Sequence, residues 1–149
     1  MVWGALSSGC KLDLAFVSCR MDSEEYQTTL REHLLPFLSG RRRWSYVFQQ
    51  DNAAVHVSHS TMTWLRSNNI QVLHWPACSP DLNTIENLWG ILVRKIYANN
   101  RQFYNVEELR NAILQAWEDI DPAMLVNLAA SMPRRLLEVG TKHGGPIDH

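Results

Sequence analysis

The N-terminal part of the chain changes from a hydrophobic pattern typical of strands to one typical of a helix. Residues 2–6 are largely apolar and residues 12–17 alternate, with the turn signal Ser-Ser-Gly at 7–9 between them. This pattern predicts a β-hairpin. A capping-box spacing at Asp22 then predicts a helix, which we expect to end at Gly40.

The rest of the chain is predicted to contain two further short strands and four helices. The predicted strands are 44–49 and 70–73, and the predicted helices are 58–67, 85–96, 105–117 and 121–132. The most regular helix carries an apolar stripe that consists of Ile85, Leu88, Trp89, Leu92 and Ile96. The order of elements predicts a mixed α/β fold, in which a hairpin leads into a sheet and helices follow at the C-terminal end.

Composition narrows the class of protein. The chain has 149 residues, of which 46% are hydrophobic and six are tryptophan, and these values fit one packed domain better than a disordered tail. No apolar run approaches the ~18 residues of a membrane span. The three cysteines form no CxxC pattern, which favours a reducing compartment over a disulfide scaffold.

The formal net charge of −1 does not indicate a nucleic-acid-binding protein. Any contact with DNA would therefore come from local basic clusters, namely residues 41–43, Arg94 with Lys95, and Arg134 with Arg135. Taken alone, clusters of this kind are more often ordinary solvated surface than binding sites.

Two acidic residues stand where predicted elements end or begin. Asp51 follows the third predicted strand, Glu86 lies in the first turns of the most regular helix, and 34 residues separate them. Carboxylates in such positions can hold divalent cations, and Mg²⁺ binds through one or two of them. Each residue also has a structural interpretation. Asp51 with Asn52 is a common turn dipeptide, and Asn83 with Glu86 has the spacing of a capping box.

Several motifs resemble one known protein family. The motifs are Gln50-Asp51-Asn52 with His56, Trp75-Pro76, residues 79–89, Val2-Trp3-Gly4 and residues 132–135. Together they resemble the mariner superfamily of transposases, in the branch typified by nematode Tc elements. The resemblance covers nearly the whole chain, and the block at 79–89, at its set distance from Asp51, is its most specific part.

This resemblance implies a ribonuclease H-like fold and a role in cut-and-paste DNA transposition. Asp51 would be the second catalytic acid and Glu86 the third. Both would ligate Mg²⁺ or Mn²⁺, which would activate water, and later a DNA 3′-hydroxyl, for attack on phosphodiesters. His56 would lie near the metal as an accessory residue, and a hydrogen-bonding role at a helix entry is an equal alternative. The resemblance also implies nuclear localisation and no membrane association.

Two departures from the family pattern change these expectations. Thr84 stands where the pattern has proline. The first catalytic aspartate of the family lies on a central strand before the segment present here, and Asp13 is too close to Asp51 to replace it. We therefore expect an N-terminally truncated catalytic domain over residues 1–149, without its first central strand and its helix-turn-helix region. Such a chain would be inactive alone and would bind DNA weakly, without sequence preference.

Alternatives remain open. The chain could be a non-catalytic nucleic-acid- or protein-binding module domesticated from a transposase, and full-length transposase or a second copy of the chain are further candidate partners. The sequence also offers four nitrogen and sulfur ligands at spacings that a zinc site can use. They are His56, His59, His74 and Cys78, and no CxxC accompanies them.

Overall fold

The structure is a computed structural model that describes residues 1–40, 46–74, 79 and 82–141. The chain forms two compact units. The first unit comprises Met1–Ala5 and Ala15–Ser79, and the second comprises Leu6–Leu14 and Pro80–His149. The N-terminal hairpin therefore contributes residues to both units. None of the helices within the described ranges is long and apolar enough to cross a membrane.

The predicted hairpin is confirmed, although its pairing is divided into two short antiparallel ladders. Strand β1 (Val2–Trp3) pairs with β4 (Ala15–Phe16), and β2 (Leu6–Ser7) pairs with β3 (Cys10–Lys11). Gly9 in the turn has a φ of +76°, a backbone conformation that glycine adopts without steric cost. The outer ladder belongs to the first unit and the inner ladder to the second.

The helical segment of the first unit begins and ends where the sequence predicts. Helix α1 (Ser23–Thr29) starts in a capping box, in which the Asp22 side chain accepts from the amide of Glu25 at 2.9 Å and the Asp22 amide donates to the Glu25 carboxylate at 3.2 Å. A wider π-helical turn at Leu30–Leu34 connects α1 to α2 (Leu35–Gly40).

The remaining elements of the first unit are two helices and one parallel bridge. Helix α3 (Ala54–Val57), which the sequence did not predict, precedes α4 (His59–Ser67). Phe48 and Val72 form an isolated parallel bridge, with the Phe48 amide bonded to the Gln71 carbonyl at 2.8 Å. The third and fourth predicted strands therefore pair, and residues 44 and 45 of the former lie outside the described residues. Among the described residues, no backbone pairing joins β1 to Phe48, and the absent central strand stays a prediction.

The second unit contains four longer helices. They are α5 (Thr84–Ile96), α6 (Val106–Glu118), α7 (Pro122–Ala130) and α8 (Met132–Thr141), with a 3₁₀ turn at Ala98–Asn100 after α5. The predicted start and end of α5 are confirmed to within one residue. The predicted final helix is shorter than expected, because α7 ends at Ala130 and a separate helix, α8, begins after Ser131.

The core of the second unit is built on the apolar stripe of α5. Leu88, Leu92 and Ile96 are buried against residues of α6 and α7. Trp117 on α6 is 1% exposed, and its indole N–H donates to the carbonyl of Leu12 at 2.9 Å. Because this carbonyl belongs to the hairpin, the bond ties the inner ladder to the core of the helices.

Two polar contacts connect the helices of the second unit at their surface and near their core. Lys95 forms an exposed ion pair with Asp119 at 3.0 Å, and hydrogen bonds from Lys95 and Gln115 lower the pKa of the Asp119 carboxyl below its usual value. Arg135 on α8 is buried and donates to the side-chain oxygen of Asn87 on α5. The second contact joins two of the sequence motifs, residues 79–89 and 132–135.

Candidate active site

Asp51 lies in the segment without regular secondary structure between the Phe48 bridge and α3, and its side chain is 52% exposed. Its Oδ1 atom accepts two hydrogen bonds, from the Ala53 amide at 3.0 Å and from His56 Nδ1 at 2.5 Å. The first of these bonds closes a local turn, as the dipeptide with Asn52 suggested. Within the described part of the chain, Oδ2 makes no hydrogen bond, which leaves one carboxylate oxygen open to a ligand.

His56 lies on α3 and its side chain is 20% exposed. Since an ionised carboxylate only accepts hydrogen bonds, Nδ1 is the donor to Asp51. The imidazole also packs on the Tyr26 ring, with 4.2 Å between the ring centroids and 32° between the planes. This bond at the start of α3 agrees with the helix-entry interpretation of His56. The accessory role of His56 near a metal stays a prediction.

Tyr26 and Gln50 form a buried layer beneath these groups that sequence reasoning did not assign to the site. Tyr26 is 1% exposed and Gln50 8% exposed. The Tyr26 hydroxyl donates to Gln50 Oε1 at 2.8 Å, and Gln50 Nε2 donates to the His56 carbonyl at 3.0 Å. Burial, with a smaller contribution from the negative charge of Asp51, raises the pKa of Tyr26 well above its ordinary value of 10.0. The phenol is therefore a neutral donor at any physiological pH.

Glu86 lies in the first turn of α5 and is exposed. The helix is capped by Asn83, whose side-chain oxygen accepts from the Ile85 amide at 3.4 Å. Among the described residues, the Glu86 carboxylate makes no hydrogen bond, so the reciprocal half of a capping box is missing. Thr84 occupies the first helical position, where proline is also well tolerated because that N–H has no intrahelical partner.

Each of the two carboxylates has the chemistry of a ligand for a hard divalent cation. Among the described residues, one oxygen of Asp51 and the exposed carboxylate of Glu86 have no hydrogen-bond partner, and carboxylate oxygens are the ligands that Mg²⁺ and Mn²⁺ prefer. The two acids belong to different units, and their convergence on one ion stays a prediction. No group of three or more His, Cys, Asp or Glu side chains within the described ranges is placed to hold a metal. Cys78 of the alternative zinc set lies outside those ranges.

The basic clusters offer less free charge than the sequence suggests. Lys95 is paired with Asp119, Arg134 is paired with Glu138 at 2.5 Å, and Arg135 is buried. Arg94 is exposed, and residues 41–43 lie outside the described part of the chain. Arg135 therefore has a structural contact, its bond to Asn87, and exposes little charge at the surface.

The fold and the motif residues together define a class of protein. Residues 1–110 match the family described as DDE superfamily endonuclease, and the chain belongs to that family. The Tc3 transposable-element transposase of Caenorhabditis elegans is 46% identical over 149 residues, which cover 100% of this chain and 45% of the relative. The Tcb1 transposase of Caenorhabditis briggsae is 33% identical over 154 residues, which cover 100% of this chain and 54% of the relative. The chain thus spans about half the length of these curated relatives.

Solved structures show the same fold. A Mos1 transposase catalytic domain with Raltegravir and Mg aligns with a TM-score of 0.85 at 17% identity and covers 99% of this chain and 76% of that chain. The Mos1 Strand Transfer Complex aligns with a TM-score of 0.85 at 19% identity and covers 99% of this chain and 43% of that chain. The resemblance to mariner-superfamily transposases is confirmed, and the fold is the mixed α/β, ribonuclease H-like fold of those catalytic domains.

Proposed function

We propose that this chain supplies part of the metal site of a transposase that cuts DNA and transfers its strands. The observation that carries the proposal is the geometry of Asp51 within the Gln50-Asp51-Asn52 motif. One oxygen of this carboxylate accepts two hydrogen bonds, the other has no partner among the described residues, and the side chain is 52% exposed. A carboxylate in a purely structural turn has no need of the second bond, from His56.

In this proposal Asp51 and Glu86 are the protein ligands of Mg²⁺ or Mn²⁺. When bound, the cation supplies Lewis-acid activation of a phosphodiester and of the attacking oxygen. The chain's own residues bind and orient. Asp51 presents Oδ2, His56 holds Oδ1, and Glu86 presents its carboxylate from a helix start. Mos1 catalytic domains have been solved with Mg and with Mn, which supports the same choice of ions here.

Titration with Mn²⁺, followed by paramagnetic broadening of amide signals, tests the ligand assignment. We expect weak binding that is lost in both Asp51→Asn and Glu86→Gln, since Mg²⁺-type sites rely on very few carboxylates. Glu107→Gln is the matched control, because Glu107 is also an exposed acid in the first turn of a helix. Tight binding that survives Asp51→Ala would contradict the proposal.

We further propose that the chain binds DNA weakly and without sequence preference. The paired or buried state of Lys95, Arg134 and Arg135 supports a small number of phosphate contacts, and binding through phosphates falls steeply with salt. Fluorescence anisotropy with a transposon-end duplex and a scrambled duplex, at several salt concentrations, tests this. Equal affinities that fall together with salt are expected, and a footprint over one defined sequence would contradict it.

The 149-residue chain on its own is proposed not to cleave DNA. The family resemblance assigns two of three catalytic acids to it, and the chemistry depends on carboxylates acting together. An assay with Mn²⁺ and a transposon-end duplex should give no products. If products form and Glu86→Ala abolishes them, two acids are sufficient and this part of the proposal is wrong.

A further inference from the structure

We infer that Tyr26 and Gln50 are positioning residues for Asp51 and act through His56. The inference rests on the metal role proposed for Asp51 and deepens it, because it names the buried groups that aim the carboxylate. Neither residue touches the proposed ligand atoms, so neither is a catalytic residue.

The consecutive residues Gln50 and Asp51 differ in burial. Gln50 is 8% exposed, whereas the side chain of Asp51 is 52% exposed. Gln50 is therefore the inward anchor of the same segment that presents Asp51 outward, and an anchored Gln50 restricts the backbone from which Asp51 projects.

The side-chain amide of Gln50 is anchored at both of its polar atoms. Its oxygen accepts from the Tyr26 hydroxyl at 2.8 Å, and its nitrogen donates to the His56 carbonyl at 3.0 Å. A glutamine bonded at one end could rotate by 180° with little change in shape, whereas this one has a single orientation that satisfies both partners. The hydroxyl of Tyr26 therefore determines which atom faces the backbone of α3.

His56 is held at both its backbone and its ring. Gln50 donates to its carbonyl, and its imidazole lies on the ring of Tyr26, with 4.2 Å between centroids. Contacts at both ends of a side chain that has two rotatable bonds leave its ring little freedom. This restriction places Nδ1 at 2.5 Å from Asp51 Oδ1. Groups that hold a metal ligand in place by hydrogen bonds contribute to the affinity of the site, as the partners of metal-bound histidines do.

The test measures the ring of His56 and the metal affinity in the same samples. The 149-residue chain is labelled with ¹⁵N-histidine, and long-range ¹H–¹⁵N spectra report which imidazole nitrogen carries the proton. Mn²⁺ titration reports affinity. The variants are Tyr26→Phe, which keeps the ring, and Gln50→Met, which keeps the approximate volume. Thr29→Val is the control, because Thr29 is a buried residue of the same helix whose hydroxyl donates to the Glu25 carbonyl one turn earlier.

We expect Tyr26→Phe and Gln50→Met each to shift the His56 signals away from the Nδ1-protonated form. Both should weaken Mn²⁺ binding by about two- to tenfold, the factor that one hydrogen bond typically contributes. Thr29→Val should change neither readout. Unchanged His56 signals in both folded variants would overturn the inference. Asp51→Asn separates the metal role of Asp51 from the positioning role of Tyr26 and Gln50. Full Mn²⁺ affinity in Asp51→Asn would refute the metal role. The His56 signals of the Tyr26 and Gln50 variants decide whether these residues position the ring.

Discussion

His56 Nδ1 lies 2.5 Å from Asp51 Oδ1, across a separation of five positions in the sequence. The bond spans the start of α3 and leaves Oδ2 as the open oxygen of Asp51. The carboxylate and its hydrogen-bond donor therefore lie on one short segment of the chain, and the buried pair Tyr26 and Gln50 contacts that segment at His56.

The first prediction concerns this bond. His56→Ala should weaken Mn²⁺ binding by about tenfold, the lower end of the loss seen when a partner of a metal ligand is removed. His59→Ala is the control, because His59 is an exposed histidine three positions along, at the start of α4. Paramagnetic titration of both variants measures the effect. Equal losses of Mn²⁺ affinity in the two variants would show that the bond from His56 to Asp51 has no specific effect on metal binding.

The second prediction concerns alkaline pH. Burial and the Asp51 charge raise the pKa of Tyr26 from its ordinary 10.0, so the folded protein keeps the proton when the unfolded chain releases it. The contribution of Tyr26 to the free energy of unfolding should be constant below about pH 10. Above that pH it should fall by about 1.4 kcal/mol per pH unit, until the folded-state pKa is reached.

Urea unfolding of the wild type and Tyr26→Phe between about pH 8 and pH 11 measures this effect, since other titrating groups are common to both proteins. Tyr26→Phe should show the shallower decline. Parallel pH profiles for the two proteins would show that the phenol ionises as easily in the folded state as in the unfolded chain.

The third prediction concerns the indole of Trp117. Trp117→Phe removes the donor to the Leu12 carbonyl and leaves that buried acceptor unpaired, so the free energy of unfolding should fall by about 2–4 kcal/mol. Trp89 stacks on Trp117 with 5.6 Å between centroids and is only partly buried. Trp89→Phe should therefore cost about 1 kcal/mol. Urea unfolding followed by far-ultraviolet circular dichroism compares them, and a larger loss in Trp89→Phe would be the contrary result.

The fourth prediction compares two adjacent arginines. Arg135 is buried and bonded to Asn87, whereas the Arg134 side chain is 61% exposed and pairs with Glu138. Arg135→Met should destabilise the protein by about 1–3 kcal/mol. Arg134→Met should cost about 0–1 kcal/mol, since exposed ion pairs contribute little. Hydrogen exchange of the α8 amides and urea unfolding report both values. Similar effects in the two variants would show that the bond to Asn87 does not anchor α8.

Helices were predictable from the sequence where their signals are local. The capping box of Asp22 and the stripe of α5 are both local signals. The helical segment from Ser23 to Gly40, which is divided by a π-helical turn, and helix α5 each begin and end within about a residue of their predicted bounds. Helix α3 was missed because its four residues are too few to show a period. The pairing of Phe48 with Val72 depends on a partner distant in the sequence, which a pattern of apolar residues does not specify.

The candidate site was only partly predictable for the same reason. Asp51, His56 and Glu86 were singled out because they stand in motifs, whereas Tyr26 belongs to none of them. Its partner Gln50 lies 24 positions away, and no periodic pattern relates a buried hydroxyl to a buried amide. A buried glutamine next to an exposed aspartate could have indicated the layer, but burial itself is a property of the folded chain.

The division of the hairpin between two units has a consequence for synthesis on the ribosome. Residues 6–14 are translated well before Trp117, and the indole that bonds to the Leu12 carbonyl is made only 105 positions later. At about 5–20 residues per second, this interval is about 5–20 seconds. The second unit is thus begun before residues 15–79 of the first unit are made, and it is completed after them. During that interval the tip of the hairpin lacks Trp117 as its partner, and a nascent-chain chaperone has time to bind it.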